Sequence, residues 1–203
     1  MSRTVAGMAK LAVVLTPVAM LACAAPPTAA GEMARLLICV GQCVGEDGNG
    51  APVPLGKGTA LSWLETGPAS YAQVKFGPGN ACAIGENARV SFSLRDDGRD
   101  VVVLEQGRIR MIGGELMGQS PEHSVELRTP EGTLSLRSAD IEVKAVPRAQ
   151  DMRPGVTLMK LNLGDARIGD QRASGAVLYQ IAGGRLVEPA VSGGPGEPPP
   201  QLR

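Results

Sequence analysis

The sequence predicts an all-β protein, an antiparallel β-sandwich or β-roll of short strands joined by glycine turns, and three observations lead there. From Ala34 onward no segment holds a helical period, whereas apolar and polar residues alternate with period two after nearly every glycine. Turn-forming clusters of Gly, Pro, Asn and Asp separate these runs, leaving strands of about 5 to 8 residues. No connection of about a dozen residues carries a helical pattern, which argues against a doubly wound α/β sheet. At 203 residues the chain suits one domain, spanning 34–189, with an appendage at each end.

The first appendage, residues 1–30, reads as an export signal. Arg3 and Lys10 supply its positive charge, LAVVLTPVAMLACAA from Leu11 to Ala25 is nearly all apolar, and no acid precedes Glu32. The apolar run, about 15 residues and broken by Pro17, falls short of the roughly 20 that a bilayer needs, so no transmembrane span is expected. MLAC, ending at Cys23, resembles a bacterial lipobox and makes Cys23 a lipidation candidate. Cleavage at a small-x-small site, Ala22 to Ala24 or Thr28 to Ala30, is the alternative, and AAPPTAA suits a flexible tether in either case. The expected location is the periplasm, or the outer membrane through a lipid anchor. Removing residues 1–30 takes away two basic residues and no acid, leaving 18 basic against 20 acidic side chains. At the far end, residues 190–203 carry SGGPGEPPPQLR beyond Val191 and read as a disordered tail.

Cys39, Cys43 and Cys82 are the disulfide candidates, because export places them where thiols oxidise. Cys39 and Cys43 lie four residues apart, about 13 Å along an extended strand, against the roughly 7 Å that a disulfide tolerates between Cα atoms. They pair with each other only if the chain turns at Gly41. A bridge from either to Cys82 would close a loop of about 40 residues, worth about 4 kcal/mol on the chain-entropy model. Three cysteines with the lone His123 and no CxxC spacing give little support to a zinc site or a redox motif.

Alternation identifies the strands in turn. Leu61 and Trp63 fall on one face, so Trp63 is expected to be buried; Cys82 and Ile84 face one way and Ala81 and Ala83 the other. Ile109 and Met111 alternate with Arg108 and Arg110, Val125 and Leu127 with Glu126 and Arg128, Leu134 and Leu136 with Ser135 and Arg137, and Ile141 and Val143 with Glu142 and Lys144. Turns fall at Gly45–Gly50, Phe76–Asn80, Arg95–Asp100 and Thr129–Thr133.

Several chemistries find no support. GPGNACAIGENARV is not a phosphate loop: Pro78 removes a needed N–H, and a strand pattern follows where a helix should open. EDGNG lacks the alternating oxygen ligands of a calcium loop. His123 is the only histidine, and GQSPE around Ser120 is not a nucleophile elbow, so no enzyme and no cofactor are expected. Zero net charge and only five aromatic residues argue against nucleic acid as a partner.

The run GKGTALSWLETGPASYAQVKFGPGNACAIGENARVSF resembles the FecR domain, through Thr66, Gly67, Ser70, Ala72, Val74, Phe76, Gly79, Cys82, Ile84 and Val90. VVVLEQGRIRM continues the resemblance through Val102, Leu104, Gly107, Ile109 and Met111, and SVELRTPEGTLSLRSADIEV through Thr129, Pro130, Gly132, Arg137, Ile141 and Val143. Two family turn or bulge positions differ: Asp-Gly-Ser has become GPGN, and Gly-Thr has become Ser138 and Ala139. The resemblance implies a non-catalytic binding or scaffold module of the bacterial envelope, working through protein contacts in signalling or assembly, with its partner unspecified. Family regulators also carry a cytoplasmic sigma-factor-binding segment and a membrane span; neither pattern is present here, so that activity is not carried over. Arg108, Arg110 and Arg128 form a candidate contact surface. The alternative is a glycan or peptidoglycan binder with Trp63 as its platform.

Overall fold

The computed structural model describes residues 34–77, 79–94, 99–113, 124–146, 155–173 and 177–188. Residues 1–30, expected to be an export signal, with Cys23, and Pro78, Ser120, His123 and residues 190–203 lie outside the described residues. The described residues form fourteen strands and no helix. In chain order these are β1 (Ala34–Val40), β2 (Cys43–Glu46), β3 (Ala60–Leu61), β4 (Trp63–Thr66), β5 (Tyr71–Phe76), β6 (Asn80–Ile84), β7 (Arg89–Leu94), β8 (Asp100–Gly113), β9 (Val125–Thr129), β10 (Gly132–Val146), β11 (Val156–Ile168), β12 (Gln171–Ala173), β13 (Leu178–Ala182) and β14 (Arg185–Val187).

Hydrogen bonds join all of them into one open sheet, antiparallel except where β8 runs parallel to β9. The all-β, antiparallel prediction therefore holds. Three strands, β8, β10 and β11, are 13 to 15 residues long and take different partners along their length. The second half of β8 pairs with β6 and β10, while its first half pairs with β7 and β9. Likewise β10 pairs first with β9 and then with β8, and β11 pairs first with β13 and then with β12. The sheet is thereby folded into two layers over one core. The first layer runs β3-β1-β5-β6-β8-β10-β11-β13-β14, and the second runs β2-β4-β7-β8-β9-β10-β11-β12.

Each long strand changes its inward parity where it bends. In β8 the buried residues go from Val102 and Leu104 to Ile109 and Met111; in β10 from Leu134 and Leu136 to Ala139, Ile141, Val143 and Ala145; in β11 from Met159 and Leu161 to Ala166 and Ile168. An extra residue in the ladder makes each change possible, because a one-residue slip turns every later side chain to the other face. The register skips Glu105 in β8, Arg137 in β10 and Asn162 in β11. All six half-strands then contribute to one core cluster. Phe76 of β5 and Phe92 of β7 meet across it with ring centroids 5.7 Å apart.

Two glycines permit the bends. Gly107 has φ +91°, and a Cβ there would lie 2.4 Å from the Ala88 backbone. Gly164 has φ +98°, and its Cβ would fall 1.6 Å from the carbonyl oxygen of Ser138. Ser138 is the position where the family's Gly-Thr is replaced; the bulge survives because its partner strand supplies the glycine. Gly164→Ala should lower stability by about 2 kcal/mol or more, since it adds left-handed strain to a backbone collision. Gly183→Ala, at φ +54° with nothing within 4 Å, carries the conformational strain without the collision. Thermal melts of the two variants separate these effects, and equal losses would contradict the packing argument.

Candidate contact surface

The strands leave a disulfide end, where β1 hands the chain to β2, and an opposite end, where β10 and β11 bend. Buried polar side chains tie three turns together at the disulfide end. Thr66 is 1 % exposed; its hydroxyl donates to the Gly85 carbonyl at 2.6 Å and accepts from the Ala88 N–H at 3.0 Å. Ser70, also buried, accepts from the Gln42 N–H at 2.8 Å and donates to the Pro68 carbonyl at 3.0 Å. The Ala69 N–H donates to the Glu86 carboxylate at 3.0 Å, and Asn87 N–H to the Gly67 carbonyl at 3.1 Å. The TGxxS stretch is thus a lock for turns, which sequence periodicity could not reveal.

Above this lock the outer face of the first layer opens into a groove of about 730 Å³. Gly85 and Gly107 floor it, and Tyr71, Glu86, Arg108 and Lys144 stand around it. Its depth follows from register: Gly85 bonds to the Arg108 carbonyl at 2.8 Å, so a residue without a side chain lies between Tyr71 and Arg108. Along the adjoining face, charges interlock between β8, β10 and β11. Arg110 makes a two-pronged contact with Asp140 at 2.8 and 3.0 Å, Arg108 reaches Glu142 at 2.6 Å, and Asn162 donates to Asp140 at 3.3 Å. The hydrogen bonds from Arg110 hold the Asp140 carboxyl below the usual carboxylate range, and those from Arg108 do the same for Glu142.

The structure brings Arg108 and Arg110 together and separates Arg128 from them. Arg128 lies on the second layer beyond the bends, where its Nε contacts Glu126 at 2.6 Å. The expected three-arginine surface is therefore two surfaces, because neighbouring strands in sequence fall in different layers.

Trp63 is not in the core. Ser62 interrupts the strand by donating its N–H to the Glu46 carbonyl at 2.8 Å, so Leu61 and Leu64 turn inward and Trp63 is left half-buried on the outer side. Arg89 lies 5.9 Å from its ring centre and bonds Glu65 at 2.9 Å. The ring is thus partly covered by a cation already engaged with a carboxylate.

Cys39 and Cys43 form the disulfide, with Cα atoms 6.7 Å apart, and Cys82 is a buried free thiol. Of the pairings that the sequence leaves open, the one that requires a turn at Gly41 is formed, and no bridge to Cys82 is made. Gly41, at φ +83° and packed on Ser70, provides the turn that extension denied. The closed loop is short, so the chain-entropy contribution falls to about 2 kcal/mol. EDGNG is a turn: Asp47 accepts from the N–H groups of Asn49 and Ala51 at 2.8 and 3.0 Å, which holds its carboxyl below the usual range.

These features describe a two-layered all-β domain with a braced, charged sheet face. The sequence pattern of the family described as FecR protein matches residues 62–159, and this segment is a FecR family domain. Such domains typically take part in envelope signalling and are generally non-catalytic. No curated protein and no solved structure matches the chain. The matched span does not account for the whole core, since Ala34, Leu36, Ala166, Tyr179 and Ile181 outside it are buried in the same layers.

Two outcomes are expected. Because the folded Asp140 and Glu142 titrate below their ordinary values of 3.8 and 4.5, their pairing contributes fully above those values and is lost as pH falls through the lowered ones. Melts in acid should therefore decline more steeply for wild type than for Asp140→Asn, by less than about 1 kcal/mol for so exposed a pair. Burial pushes the Cys82 thiol up to about 12. A thiol reagent should leave Cys82 unmodified in the native protein and label it after unfolding, with Cys39 and Cys43 recovered as one linked peptide; rapid native labelling of Cys82 would show an open core.

Proposed function

We propose that the protein is an exported, non-catalytic module of the bacterial envelope that binds another envelope protein across the outer face of its first layer. The groove between Tyr71 and Arg108 carries this reading. It pairs an aromatic side chain and the exposed Val146 with a surrounding field of charged groups, the apolar centre and polar rim typical of protein interfaces. Because its floor is braced by the buried Thr66 and Ser70, little ordering cost accompanies binding. Residues 1–30 support export, and Cys23 supports a lipid anchor that would hold the domain near a membrane-bound partner. The glycan alternative is weaker, because Arg89 covers the Trp63 ring.

A photo-activated cross-linking residue at Tyr71, introduced in intact cells, should capture a defined protein, and Arg108→Glu should reduce that adduct severalfold. The same residue placed at Thr133, an exposed position of β10 in the second layer, is the control. Equal capture at both positions, or a carbohydrate adduct at Tyr71, would sink the reading. Fractionation with labelled fatty acid decides the anchor: Cys23→Ser should abolish both labelling and membrane association.

A further inference from the structure

Toward the disulfide, β1 leaves the later part of one edge unpaired. On one side it pairs with β5 along its length. On the other, β3 and the residues before it cover only the start: Ala34 lies opposite Leu61 and Arg35 opposite Ala60, the Leu36 N–H donates to the Thr59 carbonyl at 2.9 Å, and the Gly58 N–H donates to the Leu36 carbonyl at 2.7 Å. From Leu37 to Val40 no described residue pairs on that side. This run, LICV, has no charge and no proline, and Leu37, Ile38 and Val40 are 39, 45 and 53 % exposed. Sheet edges are ordinarily protected from pairing with other chains by charge, shortness or cover. Other edges among the described strands have such protection. β12 and β14 are three residues long with an arginine each, and the Leu186 N–H of β14 donates to the Gln171 side chain of β12 at 2.8 Å. β2 is covered where Glu46 bridges to Pro52 and the Val53 N–H donates to the Gly45 carbonyl at 3.0 Å.

We propose that this edge joins a second copy of the chain, the two β1 strands pairing antiparallel about a two-fold axis at Cys39 to make one continuous sheet. A second copy fits because the edge is complementary to itself. The open run is bounded on one side by Thr59, which occupies Leu36, and on the other by Gly41, where φ +83° turns the chain out of the strand. With Cys39 at the axis, each copy's chain turns away just where Gly58 and Thr59 of the other begin, so the two strands fit without collision. Ile38 and Val40 share the outer face, opposite Gln73 and Tyr71 of β5. In the pair, Ile38 of each copy falls opposite Val40 of the other, apolar against apolar, and no charge in the run opposes its own copy. The Cys39–Cys43 bridge and the hydrogen bond from the Gln42 N–H to Ser70 at 2.8 Å hold the turn, so the edge is ordered before it pairs. The groove beside Tyr71 opens on this same outer face, so the dimer carries two grooves on one side of a single sheet, flanking the axis.

The test is sedimentation equilibrium of the purified full chain, which should show a dimer at micromolar concentration. Ile38→Lys and Val40→Lys each place two ammonium groups in the pairing region, one from each copy, and each should weaken the dimer about tenfold or more. Val187→Lys, at the exposed edge of β14 and the far end of the first layer, should leave it unchanged. Near-ultraviolet circular dichroism checks that the lysine variants are folded. A second measurement needs no charge change: a photo-activated residue at Val40 in the purified chain should give a product of two chains linked at or beside Ile38. A monomer at these concentrations, a dimer that the folded lysine variants leave within about twofold of wild type, or a two-chain product linked elsewhere overturns the proposal. So does a chain that is monomeric alone and whose residue 40 is linked in intact cells to a different protein or to lipid, which would assign the edge to that occupant.

Discussion

Three strands, β8, β10 and β11, belong to both layers, and each can do so only by changing which side of its backbone meets the core. A strand shows alternate residues to alternate faces, so a bend without a change of parity would send the second half's apolar residues into water. The skipped residues Glu105, Arg137 and Asn162 make that change, and Gly107 and Gly164 provide backbone conformations and close approaches that other residues would obstruct. β9 and β12 take up pairing positions that exist only because the long strands have turned. Without the bends the layers would share no core, and Phe76 would not reach Phe92.

The disulfide end is held by a different kind of interaction. Its turns carry few apolar residues, and the groups that order them are hydroxyls and backbone N–H donors gathered on Thr66 and Ser70. Each such bond contributes only about 1 kcal/mol net, but leaving one of these buried groups unpaired costs about 1 to 3 kcal/mol, so the lock resists partial opening. The Cys39–Cys43 bridge adds a covalent closure where the chain passes between layers. Rigidity here is local and polar, which is why the groove above it can expose small residues without collapsing.

Much of the fold was legible because alternation is a local property. The change from Leu134 and Leu136 to Ile141 and Val143 is a change from even to odd positions, so the β10 bend itself was written in the sequence. Which strands pair across the bends was not, because partner choice depends on loop closure and register over distances that no local pattern records. That is how Arg128 came to be grouped with Arg108 and Arg110. Trp63 leaves the core for a related reason. Alternation from Leu61 assumes an uninterrupted strand, whereas Ser62 bonds to Glu46, and the Gly41 turn on which a Cys39–Cys43 bridge depends packs beside Ser70, contacts 16 and 29 residues apart in the chain. The signature stretch carries the family resemblance in its sequence, but the physical role of its Thr66 and Ser70 lies in the three turns they tie together, which are distant in the chain.

The bends also determine where this surface can carry chemistry. A residue skipped by a β ladder is pushed toward solvent, so at such a position a polar side chain costs little and an apolar one would be exposed. All three skipped residues of the long strands are polar, and each takes part in a surface arrangement: Glu105 approaches Arg89 at 3.8 Å, Asn162 bonds Asp140, and Arg137 lines a cleft with Ser135 and Arg167. The same glycines that permit the bends remove side chains that would fill the adjoining hollows, as Gly107 does beneath the groove. Concave surfaces thus arise at both ends of the fold as a consequence of wrapping long strands around one core. Changes of side chain at these skipped positions can alter what the surface recognises while leaving the inward parity of every strand intact.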